Sequence, residues 1–235
     1  MHLRYDPLQE TEGTRRFLKA QQDDARDPTL PFVPPHQGDF IYLAVQQSGY
    51  VRCLETGFAT GSTAVYMLAA TAAKAGHVVS IDNSQGGHAI DVGRNCVERS
   101  GMADRHELFL EDSSSVIRRL RERGDSFDFA FLDGWKTFDH LAYELFLLDE
   151  MMPVGGMIVF DDSYMPGVRQ AIRLLCRYYA FEEVDYGRFG ETWRTRLYLS
   201  LSCRSPFRPF RAFRKAQASS DQQRKTDPYF FRRLG

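Results

Sequence analysis

Short apolar segments alternate with longer segments of helical pattern through most of the chain. Apolar runs rich in β-branched and aromatic residues predict strands at 51–55, 77–82, 105–110, 127–132 and 156–161. Apolar residues at helical spacing predict helices at 38–48, 62–75, 87–100, 113–123, 138–152 and 166–179. Such alternation is typical of a parallel sheet with helices packed on both faces.

The two ends of the chain depart from this alternation. Residues 1–37 are polar, with a helical stretch near 10–22 followed by a proline-rich segment, and predict an N-terminal cap. Segments 181–186 and 193–200 are joined by a short glycine-containing turn at 187–190, which predicts a hairpin. After residue 202 the pattern dissolves into Arg, Phe, Pro, Ser and Gln, so we expect an irregular or disordered tail.

The expected fold class is therefore α/β. It is a Rossmann-like three-layer sandwich with a seven-stranded, mostly parallel sheet whose last strand is antiparallel. The main domain is expected at 38–202, between the cap at 1–37 and a basic, aromatic-containing tail at 203–235.

Charge is distributed unevenly along the 235 residues. From Arg204 onward, nine Lys and Arg face two Asp, a net charge of +7, so the preceding residues carry −8 of the total of −1. An acidic body argues against nucleic acid gripped by the fold itself. A tail with this composition could instead serve as a contact to another subunit, so a homo-oligomer stays open.

The four cysteines are widely spaced and form no Cys-x-x-Cys pair, as expected for reduced thiols in a cytoplasmic protein. No segment approaches 18 consecutive apolar residues, and the N-terminus has no apolar signal segment, so neither a membrane span nor secretion is expected.

The first candidate site follows the first predicted strand. The apolar run 51–55 ends at Glu55, and Gly57, Gly61 and Ser62 lead directly into a helix. Glycines at such a turn let backbone N–H groups and the helix N-terminus approach a ligand closely. The next apolar run ends at Asp82, at about the 20-residue distance where such folds place a carboxylate on a ribose hydroxyl. The sequence therefore predicts a nucleotide-type cofactor site.

Four such loops in chain order resemble the class I S-adenosylmethionine-dependent methyltransferases over about residues 38–200. The motifs are Glu55-x-Gly57-x-x-x-Gly61, Asp82, Glu111-Asp112-Ser113 and Phe131-Leu132-Asp133-Gly134. The resemblance implies that the glycine turn holds the methionine part of the cofactor, Asp82 the ribose, and the third loop the adenine. The implied cofactor-binding residues are Glu55, Gly57, Gly61, Ser62, Asp82, Asp112, Ser113 and Asp133. An NAD-binding Rossmann domain is the alternative, but the G-x-G-x-x-G spacing is absent and the antiparallel last strand counts against it.

The second half of the chain resembles catechol O-methyltransferase and a bacterial family of macrolide-sugar and cephalosporin-biosynthesis methyltransferases. The motifs are Asp133-Gly134-Trp135-Lys136 and Phe160-Asp161-Asp162, followed by Met165-Pro166-Gly167-Val168. The resemblance implies Asp133, Asp161 and Asp162 as metal ligands and Lys136 as catalytic base. Asp162 stands where asparagine is usual, and Lys136 stands where the bacterial family often has histidine.

The chemistry is consistent with these assignments. Carboxylates at adjacent strand ends repel one another and are hard ligands suited to Mg²⁺. A metal-bound hydroxyl is acidified, and a dication lowers the pKa of a nearby lysine so that its neutral amine can accept the proton. Three alternatives remain open. Asp133 caps a turn, only one of Asp161 and Asp162 binds the metal, or Lys136 is a solvated side chain.

Four further residues can each be interpreted in two ways. Trp135 is either a packing residue or a wall of the acceptor site. His140 either lies on an exposed helix face or takes part in the chemistry, and His36 and Tyr42 either pack or cover the cofactor.

The expected function is Mg²⁺-dependent O-methylation of a small hydroxylated molecule, such as a natural product, a sugar or a phenol, by S-adenosylmethionine. One alternative is a protein that binds the cofactor without turnover. The other is a nucleic-acid methyltransferase that uses the basic tail, although the Asn/Asp-Pro-Pro-aromatic signature of amino-methylating enzymes is absent after the fourth strand.

Overall fold

The computed structural model describes residues 11–21, 29–84, 86–186 and 210–218. These residues fall into two compact units. The first unit contains the described residues up to Ser113 together with Tyr186, and the second contains Ser114–Asp185 together with 210–218.

The first unit is built on three parallel strands in the order β3-β2-β1. Its strands are β1 (Arg52–Thr56), β2 (His77–Ile81) and β3 (His106–Phe109), and its helices are α1 (Glu12–Gln21), α2 (Pro35–Ser48), α3 (Ser62–Thr71) and α4 (His88–Arg99). Short 3₁₀ turns follow at Ala72–Lys74 and Ala103–Arg105. The core of this unit includes Cys53 and Leu54 of β1 and most of α3, which are fully buried.

The N-terminal helix belongs to the packed core of this unit. The Thr14 hydroxyl donates to Asp39 of α2 at 2.6 Å and lies 3.0 Å from the Tyr66 hydroxyl of α3. Gly13 and Gly38 permit the close approach, since a Cβ at either position would lie within 3.0 Å of a tyrosine ring. The predicted helix near 10–22 is confirmed, and α2 begins at Pro35, where proline suits the first helical turn.

The second unit has four strands in the order β4-β5-β7-β6. Its strands are β4 (Phe129–Leu132), β5 (Met157–Phe160), β6 (Phe181–Glu183) and β7 (Arg211–Lys215). Its helices are α5 (Ser113–Glu122, whose first residue belongs to the first unit), α6 (Phe138–Met151) and α7 (Pro166–Tyr178). Strands β4 and β5 are parallel, whereas β7 is antiparallel to both β5 and β6. The predicted fold class, α/β with seven strands and an antiparallel last strand, is confirmed.

The residues that form the last strand differ from the prediction. The strand expected at 193–200 lies outside the described residues, and the observed β7 lies beyond the predicted domain limit of 202. The expectation of an irregular tail after 202 is therefore wrong for Arg211–Lys215. Ala212 and Phe213 are fully buried, and Arg211 forms a two-pronged ion pair with Glu183 of β6 at 2.8 and 2.7 Å. The charge of Arg211, one of those that indicated a solvated tail, is thus paired within the sheet.

Candidate active site

The cofactor-type loops of the first unit lie at one edge of its sheet. Thr56 pairs in register with Ile81, and Ile81 with Phe109, so the three parallel strands end side by side. The segments that begin at Gly57, Asp82 and Leu110 therefore leave the sheet at the same edge. Asp112 and the buried Ser113 stand at the start of α5 on the third segment.

The glycine loop, residues 57–61, needs both of its glycines. Gly57 and Gly61 have φ values of 90° and 66°, a region that side chains with a Cβ rarely occupy. A Cβ on Gly61 would also lie 2.8 Å from the carbonyl oxygen of Gly93 in α4. Conversely, a Cβ on Gly93 would lie 2.6 Å from the carbonyl oxygen of Ala59. Gly93 was missed by the sequence analysis, although a glycine in the middle of a predicted helix is a signal of close packing.

Asp82 fixes the backbone of this loop. Its Oδ2 accepts hydrogen bonds from the N–H groups of Phe58 and Ala59 at 2.9 and 3.0 Å, and its Oδ1 accepts one from Ser84 N–H at 2.9 Å. The carboxylate thus holds the loop in place directly after β2. Its binding of a ribose remains a prediction.

Glu55 ends a buried hydrogen-bonded chain across three strands. Ser80 Oγ donates to Glu55 Oε1 at 2.6 Å and lies 2.7 Å from His106 Nε2. Because the single hydroxyl proton goes to Glu55, His106 donates from Nε2 and is the Nε2–H tautomer. Burial, with a smaller effect from His77, lowers the pKa of His106 to about 4, so the ring is neutral. Its ring stacks on Phe58 of the glycine loop at 5.3 Å. Ser80 and His106 were not anticipated from the sequence.

The segment before α2 contacts the start of α3. Val33 N–H donates to Ser62 Oγ at 3.2 Å, and Thr60 Oγ1 donates to Pro31 O at 2.8 Å. On this side, the glycine loop and Ser62 are contacted by Pro31 and Val33. The two aromatic candidates, His36 and Tyr42, lie in α2.

Those two candidates have other surroundings. The pKa of the half-buried His36 is lowered by burial. The Tyr42 hydroxyl accepts a hydrogen bond from Gln46 at 2.7 Å, and the residue lines a separate cavity of about 460 Å³ with Glu12 and Lys74.

In the second unit, Asp133, Asp161 and Asp162 form one acid cluster. Each offers a carboxylate oxygen, and these atoms lie within 4.8 Å of one another. Asp133 follows β4 and Asp161 follows β5, whose last residues are paired in parallel register. Asp162 has a φ of 47°, a left-handed conformation that Asp and Asn tolerate better than most residues. This turn explains how two consecutive residues can both face the cluster.

Lys136 reaches into the acid cluster. Its Nζ donates to Asp133 Oδ1 at 2.7 Å and lies 3.6 Å from Asp162 Oδ2, and its side chain is only 20% exposed. Burial raises the pKa of Asp133 to about 7, and the Asp161 carboxylate adds to this effect while Lys136 opposes it. Three carboxyl groups against one ammonium leave the cluster short of positive charge.

Trp135 is not a core residue, because 45% of its surface is exposed. Its ring lies 5.6 Å from the ring of His140, and His140 Nε2 lies 3.4 Å from Oε1 of the fully buried Glu144. The structure thus places an exposed aromatic face and an oriented imidazole on the segment that carries Asp133 and Lys136. Glu144 was not anticipated from the sequence.

In the described part of the chain, no helix has the length and apolar character needed to cross a membrane. Cys53 and Cys96 are buried thiols, and Cys176 is an exposed one.

Residues 54–163 match a family model described as a methyltransferase domain. Caffeoyl-CoA O-methyltransferase 1 of Eucalyptus globulus is 28% identical over 153 residues, which cover 61% of this chain and 59% of that protein. The chain thus spans less than two thirds of the length of this relative. These matches confirm the expected resemblance to the class I methyltransferases.

Two solved structures share the fold. An O-methyltransferase from Bacillus cereus in complex with SAH superposes with a TM-score of 0.62 at 20% identity, covering 76% of this chain and 84% of that one. The O-methyltransferase TomG from Streptomyces achromogenes, involved in tomaymycin synthesis and solved with SAM, has a TM-score of 0.63 at 17% identity, covering 89% of this chain and 92% of that one.

Proposed function

We propose that this chain, which carries a class I methyltransferase domain, transfers a methyl group from S-adenosylmethionine to a hydroxyl of a small molecule, with Mg²⁺ as a cofactor. The single observation that carries the proposal is the convergence of Asp133, Asp161 and Asp162 with Lys136 in the second unit. A natural product, a sugar or a phenol is the proposed acceptor class.

The first unit supports the choice of cofactor. Three of its segments start at the same edge of the sheet, as binding of a nucleotide-type ligand requires. They are the glycine loop, the segment that begins at Asp82 and the segment that contains Asp112 and Ser113. The Bacillus cereus and Streptomyces achromogenes structures hold SAH and SAM, respectively. We assign the methionine part to the glycine loop and Ser62, the ribose to Asp82, and the adenine to Asp112 and Ser113.

The acid cluster fits a hard divalent cation. Its three donors are carboxylate oxygens, the ligand type that Mg²⁺ prefers, and they lie close enough together to share one ion. Asp133, Asp161 and Asp162 would hold the metal. When bound, it would acidify the acceptor hydroxyl.

Lys136 is the proposed base. In the structure its ammonium is held by Asp133 and Asp162. A cation in the cluster would compensate those carboxylates and leave the amine able to take the proton of the acceptor hydroxyl. The acceptor oxygen then bonds to the methyl carbon, the carbon–sulfur bond breaks, and S-adenosylhomocysteine leaves with the bonding electron pair.

A nucleic-acid substrate has less support. Within the described part of the tail, Arg211 is paired with Glu183 and Lys215 with Asp149, so these two basic side chains are already committed within the second unit. No described feature favours this alternative or cofactor binding without turnover over the proposed reaction.

The test is a methyl-transfer screen over hydroxylated small molecules with labelled S-adenosylmethionine. We expect turnover that chelator abolishes and added Mg²⁺ restores. Asp161→Asn should lose metal affinity and turnover while keeping its affinity for S-adenosylhomocysteine. Full activity in excess chelator would contradict the metal role, and the absence of S-adenosylhomocysteine binding would contradict the proposal as a whole.

A further inference from the structure

The backbone of Gly167 touches the segment that carries Lys136. Gly167 is the second residue of α7, and a Cβ there would lie 2.3 Å from Lys136 O, 3.0 Å from Phe138 N and 3.2 Å from the carbonyl carbon of Thr137. All three are backbone atoms, which cannot rotate away as the end of a flexible side chain can. Even one methyl group at position 167 therefore requires the two segments to separate.

Both segments hold members of the acid cluster. The contacted segment follows Asp133 and begins with Lys136 itself. The start of α7 is tied to the other side of the cluster, because Met165 N–H donates to Asp162 O at 2.8 Å and Arg169 N–H donates to Met165 O at 2.9 Å. The close contact at Gly167 thus lies between the Lys136 segment and the turn that begins at Asp162.

Helix geometry alone does not call for glycine here. Glycine is less favourable than alanine within a helix, and at Gly167 no positive φ requires it. The close approach to the Lys136 carbonyl is the physical reason that remains.

We propose that Gly167 is a positioning residue: its missing side chain sets the separation of the Lys136 segment and the Asp162 turn, and so holds the acid cluster closed around Lys136. This inference rests on the proposed function for the identity of the cation that the cluster takes. The separation itself is a property of the metal-free protein and can be measured without a metal.

The experiment compares the full-length chain with Gly167→Ala and with Gln170→Ala, an exposed position on the same turn of α7. Mn²⁺ binding is measured by electron paramagnetic resonance, and S-adenosylhomocysteine binding by calorimetry. We expect Gly167→Ala to weaken Mn²⁺ binding by about 10–100-fold, the usual cost of disturbing the support of metal ligands. Affinity for S-adenosylhomocysteine should be unchanged, and Gln170→Ala should match the wild type in both.

A second measurement needs no metal. Lys136 is acylated in the metal-free protein with an amine reagent, and its modification is followed by mass spectrometry relative to Lys74, which is exposed and bonded to Gly49 O. Gly167→Ala should speed labelling of Lys136 several-fold without changing Lys74, because the ammonium is no longer held between Asp133 and Asp162.

Unchanged labelling of Lys136 would overturn the inference, and so would loss of cooperative unfolding in Gly167→Ala, since Gly167 would then serve the fold rather than the site. If the wild type binds no Mn²⁺, the metal part of the proposed function fails, and the labelling result still decides the role of Gly167.

Discussion

Lys215 lies at the end of β7 and is buried against the C-terminal end of α6. Only 5% of Lys215 and 1% of Asp149 are exposed, and their charged groups are 3.0 Å apart. The ammonium also donates to the carbonyl oxygens of Asp149 and Met152. Replacing Lys215 by methionine keeps most of the side-chain volume but leaves a buried carboxylate without its cation.

Removing one partner of a buried ion pair typically costs about 3–5 kcal/mol, because the remaining charge is left in a low-dielectric interior. That is a large part of the roughly 5–15 kcal/mol that stabilises a typical domain. For a chain of this size, each kcal/mol lowers the melting temperature by about 2–4 °C, so we expect a fall of roughly 6–20 °C. The second unit should lose most of the stability that β7 gives it.

The assay is chemical denaturation followed by circular dichroism, with the free energy of unfolding extrapolated to zero denaturant. Lys74→Met is the matched control, since it removes an exposed lysine and should change the free energy of unfolding little. Lys215→Met combined with Asp149→Leu should recover most of the loss, because the uncompensated charge is gone. A loss below about 1 kcal/mol, the range of exposed ion pairs, would refute the reasoning. Equal stability after truncation at residue 202 would also refute it.

Three further predictions concern the two sites. Burial lowers the pKa of His106 from the ordinary histidine value of 6.5 to about 4 in the folded chain, so the unfolded state binds the proton first as pH falls. Stability should therefore fall as pH drops from 6.5 to 4, by at most about 3 kcal/mol. Denaturation at several pH values should show this loss of stability, and His106→Gln should flatten the dependence of stability on pH. An unchanged pH dependence in His106→Gln would count against a buried neutral imidazole. Asp82→Ala should weaken S-adenosylhomocysteine binding by about 1–3 kcal/mol in calorimetry. It should also speed amide exchange at Phe58 and Ala59, and unaltered exchange would contradict the hydrogen bonds that hold the loop. Lys136→Ala should slow methyl transfer by about 10²–10⁴-fold while leaving cofactor affinity intact, and full activity would remove Lys136 as the base.

The local pattern of the sequence was enough to predict most of the helices and strands. Apolar periodicity predicted the five parallel strands and their helices to within a few residues, because each is a short segment whose pattern depends on its own burial. Glycines at Gly57 and Gly61 indicated the loop through their conformational freedom, which is also a local property. The acids after β4 and β5 could be grouped because parallel strands bring their C-terminal ends to one edge.

Tertiary structure decided the features that depend on distant partners. Nothing in Arg211–Lys215 alone indicates a buried strand, because Arg211 and Lys215 are accommodated only beside Glu183 and Asp149. The close contacts of Gly93 and Gly167 involve backbone that lies over 25 residues away in the chain. Sequence spacing cannot show such approaches, since they exist only after the helices pack. The left-handed turn at Asp162, which lets two consecutive acids share one cluster, likewise appears only in the folded chain.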